Sequence, residues 1–173
     1  MTIERYEQYP LQQLNQDLML FTQTMMNHDK IAGYYFTDAY YTGLRAMELA
    51  QLYARLYKLS STWYVKLEKG SADRQLDLTT LTTHAQLCIG LKQEPYWLIT
   101  HNKIKKWFRD FYPKRAVYSG EKKVTAHLFR HAYVKRLYAA GINIETIAAM
   151  IGEKKIENAQ HYADSELYYL VRE

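Results

Sequence analysis

The sequence is poor in cysteine: Cys88 is the single one among 173 residues. One thiol cannot form an internal disulfide or a thiolate metal cluster, so we expect neither. This cysteine usage fits a reducing cytoplasm. Seven glycines are present, but they form no G-x-G-x-x-G or phosphate-binding loop pattern, so the sequence does not support nucleotide binding.

Long apolar runs are also missing. No stretch approaches the roughly 20 apolar residues that a membrane helix needs, and the charged start of the chain does not resemble a secretion signal. Hydrophobic residues make up 48% and charged residues 24% of the chain, a balance typical of a globular protein with a buried core. We therefore interpret 1–173 as a single cytoplasmic domain with no membrane partner.

Positive charge is concentrated in one segment. Residues 103–136 contain eleven lysines and arginines against two acidic residues, a local net charge of +9, so the rest of the chain carries −4. Aromatic residues alternate with these charges. The pattern is typical of a nucleic-acid-binding face, although a solvated basic helix has the same composition. The candidate contacts to double-stranded DNA are Lys103, Lys105, Lys106, Arg109, Lys122 and Lys123.

The spacing of apolar residues predicts a mainly α protein with a small antiparallel β-hairpin. The hairpin strands are expected at 62–67 and 74–78, on either side of a turn at 69–73. Gly141 and Gly152 directly follow two predicted helices, at the position where a residue in the left-handed conformation commonly ends a helix. The expected helices are 10–28, 31–41, 46–57, 81–91, 103–112, 127–140, 144–151 and 156–163.

A histidine and an arginine form the first candidate site. His127 and Arg130 lie three positions apart on a predicted helix, which puts their Cβ atoms about 5–6 Å apart on one face. An imidazole beside a guanidinium suits an oxyanion, above all a phosphate, although a surface hydrogen-bonding pair has the same spacing. His127 and His131 also have the spacing of zinc ligands, but Leu128 replaces the catalytic glutamate and Arg130 would repel a dication, so we assign no metal.

Three segments, in order, resemble the catalytic domain of the tyrosine recombinases, the phage-integrase and Xer-type family. The first, Thr42-Gly43-Leu44-Arg45 with Glu48, is similar to the first-arginine box. The second, His127-Leu128-Phe129-Arg130-His131, is similar to the H-x-x-R-H box. The third, Ala140-Gly141 leading to Met150-Ile151-Gly152 and then His161-Tyr162, is similar to the nucleophile box. The resemblance covers about 39–163. Arg45 and Lys69 are 24 positions apart, and Arg130 and Tyr162 are 32 apart, as expected in that family.

The resemblance implies an enzyme that breaks and rejoins DNA. Tyr162 would attack the scissile phosphate and leave a 3′-phosphotyrosine and a free 5′-hydroxyl, so that rejoining needs no metal, ATP or other cofactor. Lys69, at the hairpin tip, would be the general acid for the 5′-oxygen. The family also implies a tetramer on paired sites, with the isolated domain able to remain monomeric.

By the same resemblance, two arginine and two histidine side chains would complete the site. Arg45 and Arg130 would hold the non-bridging phosphate oxygens, where negative charge develops. His131 would take part in proton transfer and His127 would hydrogen-bond the phosphate. From the sequence, replacing either arginine by alanine is expected to abolish cleavage and leave the fold intact.

One site position departs from the family pattern. Nine positions before Tyr162, where a histidine or tryptophan is usual, stands Glu153. Because an ionised carboxylate would repel a phosphate oxygen, we expect it to turn toward Lys154 or Lys155, or to carry a proton while His161 supplies the donor. Otherwise the site is slow or inactive, and the protein is a silent DNA binder of the same fold.

The ends of the chain also differ from the pattern. About 38 residues precede the resemblance, too few for the family's N-terminal core-binding domain, so we expect an excised catalytic domain or a naturally short recombinase. A telomere resolvase or type IB topoisomerase would use the same chemistry, but those usually carry large additional domains. The apolar tail at 164–173 is expected to pack on its own domain rather than on a neighbouring subunit.

Overall fold

The computed structural model describes residues 4–68 and 71–172. Within them the chain is mainly helical, as predicted. The helices are α1 (Leu11–His28), α2 (Lys30–Thr42), α3 (Ala46–Ala50), α4 (Leu52–Arg55), α5 (Thr83–Gly90), α6 (His101–Phe111), α7 (Leu128–Ala139), α8 (Ile144–Ile151) and α9 (Ile156–Asp164). A 3-10 turn covers Leu78–Thr80. No helix of the described residues is long and apolar enough to cross a membrane.

Strands form two antiparallel sheets in the same described ranges. They are β1 (Glu4–Gln8), β2 (Leu56–Leu59), β3 (Thr62–Val65), β4 (Arg74–Gln75), β5 (Val117–Ser119), β6 (Lys122–Val124) and β7 (Leu167–Arg172). The smaller sheet has the order β2-β3-β4, and the larger has the order β1-β7-β5-β6. The predicted hairpin is confirmed as the β3–β4 pair, in which Val65 lies opposite Arg74. The strand predicted at 74–78 is too long, because β4 ends at Gln75 and the 3-10 turn begins at Leu78.

The prediction of helix over 46–57 is wrong at its C-terminal end. The helix is interrupted at Gln51 and ends at Arg55, because Leu56–Leu59 pairs with β3. The Tyr57 and Tyr64 rings stack across this pair with centroids 5.5 Å apart. The short α4 is stabilised from a distant segment, since the Glu94 carboxylate accepts the Tyr53 and Ala54 amides, a cap that local sequence does not predict.

The larger sheet joins both ends of the chain and was not predicted. The tail strand β7 lies between β1 and β5, with Tyr6 opposite Leu170 and Tyr118 opposite Tyr168. Residues Leu167–Arg172 therefore pack on their own domain, as expected. The strands β5 and β6 have three residues each, too few for an alternating pattern to stand out in the sequence.

Two hydrophobic clusters, one on each side of α7, position this helix at the centre of the described structure. Phe129 of α7 stacks on Phe36 of α2, with ring centroids 5.4 Å apart, and Phe21 of α1 packs on both. On its other side α7 packs with α8 and α9 around Val134 and Ile147, which are fully buried. This arrangement brings the end of α2, the start of α7 and the middle of α9 to one place.

Candidate active site and nucleic-acid interface

A glycine turn directs the first arginine. Gly43 ends α2 with φ 65°, and a Cβ there would lie 2.4 Å from Cδ1 of Tyr133, so a side chain is excluded by both backbone and space. Two residues later, Arg45 donates twice to Glu48. The Arg45 backbone amide lies 3.0 Å from Glu48 Oε1, and the Arg45 side-chain Nη1 lies 3.3 Å from Glu48 Oε2. Glu48 is fully buried, so it anchors Arg45 with Nη2 left for another partner.

Arg130 is a buried link between three segments. Arg130 is 1% exposed. Its Nη1 donates to the Gly43 carbonyl at 3.0 Å, and its Nη2 donates to the Ile151 carbonyl at 3.2 Å. Arg130 and His127 therefore do not form the one oxyanion face that the sequence predicted. His127 is exposed at the start of α7, whereas the Arg130 guanidinium points inward toward Arg45. The same bonds give Arg130 a role in holding the fold.

Glu153 lies between the two arginines, and the expectation that it turns toward Lys154 or Lys155 is wrong. Its Oε1 accepts from Arg45 Nη2 at 2.6 Å and from Arg130 Nη2 at 3.1 Å. The side chain is only 7% exposed, whereas both lysines are exposed. The reason is electrostatic, because two charge-assisted bonds at a buried position are stronger than an ion pair in solvent.

The tyrosine of the predicted nucleophile box stands beside this cluster. The Tyr162 ring lies 5.3 Å from Arg130 Cζ and meets the His131 ring edge-on, with centroids 4.8 Å apart. His131 is buried, and its Nδ1 lies 3.4 Å from Ser165 Oγ. Packing of α9 on α7 thus brings Tyr162, His131 and Arg130 together, as the resemblance implied.

The pKa values of both site histidines are lowered by their surroundings. Burial, and then the positive charge of Lys135, lower the pKa of His131 to about 3. Partial burial and the nearby Arg130 and Arg45 also lower the pKa of His127. His131 is therefore uncharged beside the Tyr162 ring and adds no positive charge to the arginine cluster.

The low pKa of His131 predicts a pH-dependent stability. Between pH 6.5 and about 3 the unfolded chain binds a proton at this histidine that the folded protein does not, so the free energy of unfolding falls as pH decreases, by up to about 1.4 kcal/mol per pH unit. Urea unfolding from pH 7 to 4 measures this slope. We expect His131→Asn to reduce the slope and the exposed-residue control His101→Asn to preserve it; equal slopes in all three proteins would contradict the assignment.

The predicted general acid, Lys69, lies outside the described residues, but the chain on both sides of it reaches the site. The Glu68 amide donates to Glu48 Oε2 at 3.2 Å, and Arg45 Nη1 lies 3.4 Å from Ser71 Oγ. The Ala72 amide donates to the Gly152 carbonyl at 2.8 Å. Both flanking segments are thus attached to the arginine cluster.

A basic groove of about 800 Å³ opens beside Tyr162 and the site histidines. Of the predicted DNA contacts, Lys105, Lys122 and Lys123 line it, together with His101 and His161. Arg109 instead lines an adjacent cavity of about 430 Å³, which shares Lys105 and Lys123 with the groove and adds Lys114 and Arg115. Lys103 and Lys106 are exposed on α6 and line neither cavity.

Sequence reasoning missed one buried arginine. Arg74 on β4 is 5% exposed, and its Nε and Nη1 have no hydrogen-bond partner within the described ranges. Burial lowers its pKa to about 10, and it interacts electrostatically with Arg130, Glu48 and Tyr133. The sequence did offer a sign of this burial. In the alternating segment from Arg74 onward, Arg74 is two positions from Leu76 and so shares the face of that buried residue.

Comparisons with known proteins agree with this arrangement. The family model described as "Phage integrase family" matches residues 11–167. A crystal structure of XerA recombinase has the same fold, with a TM-score of 0.56 and 19% identity over 86% of this chain and 58% of that chain. The present chain thus spans less than two thirds of that recombinase's length. Comparison with curated proteins gave no match. Because the family model covers most of the chain, including both arginines and the tyrosine beside them, the protein belongs to the phage integrase family, the tyrosine recombinases.

Proposed function

We propose that this protein cleaves and rejoins DNA strands through a 3′-phosphotyrosine intermediate. One observation carries the proposal: Arg45 and Arg130 converge on a single oxygen atom, Glu153 Oε1, beside the ring of Tyr162. Two guanidinium groups directed at one point match the non-bridging oxygens of a phosphate, where charge increases in the transition state.

The residues divide the chemistry between them. The Tyr162 Oη forms a bond to phosphorus as the bond to the 5′-oxygen breaks, so the number of phosphoester bonds is unchanged and rejoining needs no external energy. His131 takes part in proton transfer with Tyr162 or the phosphate, and Lys69 donates a proton to the departing 5′-oxygen. His127, at the mouth of the groove, hydrogen-bonds the phosphate.

Double-stranded DNA is the proposed partner, held in the basic groove. Lys105, Lys122 and Lys123 line its wall beside Tyr162, where they can neutralise phosphates on either side of the cleaved one. Recombination of two duplexes breaks four strands, one for each subunit, so the active assembly is a tetramer on paired sites, whereas the isolated domain can remain monomeric. Such a substrate places the enzyme at the nucleoid in the cytoplasm.

Covalent trapping tests the enzymatic function. A nicked suicide duplex from the native element releases a short fragment after cleavage, so the phosphotyrosine cannot be reversed. Incubation in a chelator should give a denaturation-resistant protein–DNA adduct. DNA binding without an adduct would contradict the enzyme assignment.

A catalytically silent DNA-binding protein is the second candidate, and the position of Glu153 favours it. A carboxylate already occupies the point where the arginines meet. If it could not leave, phosphate would be excluded from the site while the groove still bound the duplex. The trapping experiment separates the two candidates, because only the enzyme gives an adduct.

Removing charge from the groove should weaken DNA binding in a salt-dependent way. We expect Lys105→Gln and Lys123→Gln each to lower affinity, and to reduce the magnitude of the slope of log K against log salt by about 1 for each lost phosphate contact. Fluorescence anisotropy between 50 and ~200 mM salt measures both quantities. Lys30→Gln, an exposed lysine on α2 outside the groove, is the matched control. Unchanged slopes in the groove variants would place DNA elsewhere.

A further inference from the structure

Among the described residues, the Glu153 side chain accepts three hydrogen bonds, two of them from the arginines of the proposed site. Its Oε1 is shared by Arg45 Nη2 and Arg130 Nη2, at 2.6 and 3.1 Å. Its Oε2 accepts from Asn158 Nδ2 at 3.2 Å. The carboxylate therefore fills the point toward which both guanidinium groups are directed.

The two arginines cannot turn away from this point. Arg45 Nη1 is bonded to Glu48 and lies near Ser71 Oγ, and Arg130 Nη1 is bonded to the Gly43 carbonyl. Their Nη2 groups are consequently fixed toward one shared position. Glu153 supplies the acceptor for Arg45 Nη2 and a second acceptor for Arg130 Nη2, which also donates to the Ile151 carbonyl. Buried charged donors that lose an acceptor are destabilising.

The local charge balance also requires an anion here. Arg45, Arg130 and the buried Arg74 carry three positive charges, and Glu48 and Glu153 carry two negative charges. Without Glu153 the excess would rise from one to two positive charges at a site largely shielded from water. Such an uncompensated cluster destabilises a fold unless another anion replaces the lost one.

We infer that Glu153 is an internal substitute for the phosphate: it keeps the arginine pair assembled in the free protein and is displaced when an oxyanion binds. The inference rests on the proposed function, in which that oxyanion is the scissile phosphate of DNA. Carboxylate and phosphodiester each bring one negative charge and oxygen acceptors to the same Nη2 groups. Glu153 thus competes with substrate and lowers the affinity of the free site for phosphate.

Release of Glu153 requires rotation of its side chain alone. Its backbone is held, because the Glu153 amide donates to the Ala148 carbonyl at 2.9 Å and the Gly152 carbonyl accepts from Ala72 at 2.8 Å. Gly152 has φ 77°, and a Cβ there would lie 2.0 Å from Leu67 Cδ1, so only glycine fits at this closely packed turn. Exposed Lys154 follows directly and offers a cation outside the site to the displaced carboxylate.

The test is thermal unfolding of Glu153→Gln and Glu153→Ala against inorganic phosphate, with sodium chloride balancing ionic strength. Both variants should melt below wild type without phosphate. Phosphate should raise their melting temperature saturably, with a half-saturating concentration at least about tenfold below that of wild type. Glu157→Gln, an exposed glutamate at the start of α9, is the matched control and should respond like wild type.

The outcomes separate this inference from the proposed function. A wild-type phosphate response in both Glu153 variants would overturn it, even if wild type forms the covalent adduct with DNA. A strong phosphate response without any adduct would support the substitution and contradict the cleavage activity. If the variants do not fold in phosphate-free buffer, refolding with phosphate would support the inference, and failure in both buffers would overturn it.

Discussion

Tyr162→Phe is expected to eliminate the covalent protein–DNA adduct while leaving the fold and DNA binding unchanged. Phenylalanine lacks only the Oη that bonds to phosphorus, and no other group can take its place in a phosphotyrosine link. The ring contacts with His131 and Arg130, at 4.8 and 5.3 Å, depend on the aromatic face and edge and are retained. Trapping on the nicked duplex, resolved under denaturing conditions, measures the effect directly.

The matched control for this experiment is another tyrosine. The chain has 17 tyrosines, so loss of an adduct must be shown to depend on position. Tyr138 is 45% exposed on α7, and Tyr138→Phe should form the adduct at the wild-type rate. Adduct formation by Tyr162→Phe at a comparable level would reject the nucleophile assignment. Loss of the adduct in both variants would point to a general defect.

The two arginine substitutions are expected to have different effects on stability, although both should abolish cleavage. The Arg45 side chain is 20% exposed and is bonded to side chains, so Arg45→Ala should fold and lose a factor of about 10²–10³ or more in cleavage, as for removal of one oxyanion donor. Single-turnover cleavage at saturating protein measures this. Arg172→Ala, at the end of β7 where the side chain is 46% exposed and pairs with Glu4, is the control and should cleave normally.

Arg130→Ala should also unfold more easily. The guanidinium is buried and satisfies the Gly43 and Ile151 carbonyls as well as Glu153, so its removal leaves those acceptors unpaired and a buried carboxylate short of one partner. Breaking a buried pair of this kind costs about 3–5 kcal/mol. The structure thus predicts a loss of stability for Arg130→Ala, where the sequence alone predicted an intact fold. Urea unfolding should show a large loss of stability for Arg130→Ala and a smaller one for Arg45→Ala; the reverse order would contradict the structural role.

Local sequence predicted the features that depend on neighbours in the chain. The 3–4-residue spacing of Leu14, Leu18 and Phe21 predicted α1, because one face of a helix repeats at that interval. The caps predicted at Gly141 and Gly152 are confirmed, with φ 87° and 77°, since a left-handed residue strongly favours glycine. The order and spacing of the arginine, histidine and tyrosine segments also predicted which family the chain belongs to.

Tertiary structure alone decided how those segments meet. Helix at 56–57 gave way to a strand, and the two chain ends formed a sheet, because pairing with distant strands outweighed weak local preference. The position of Glu153 has the same cause. From sequence, a glutamate beside two lysines was expected to face solvent; in the fold, two anchored guanidinium groups approach from segments about 108 and 23 positions away and hold it. The sequence by itself determined most of the secondary-structure elements and the reactive side chains. Which group lies between the two arginines, the Glu153 carboxylate, was decided by charges that come together only when the chain is folded.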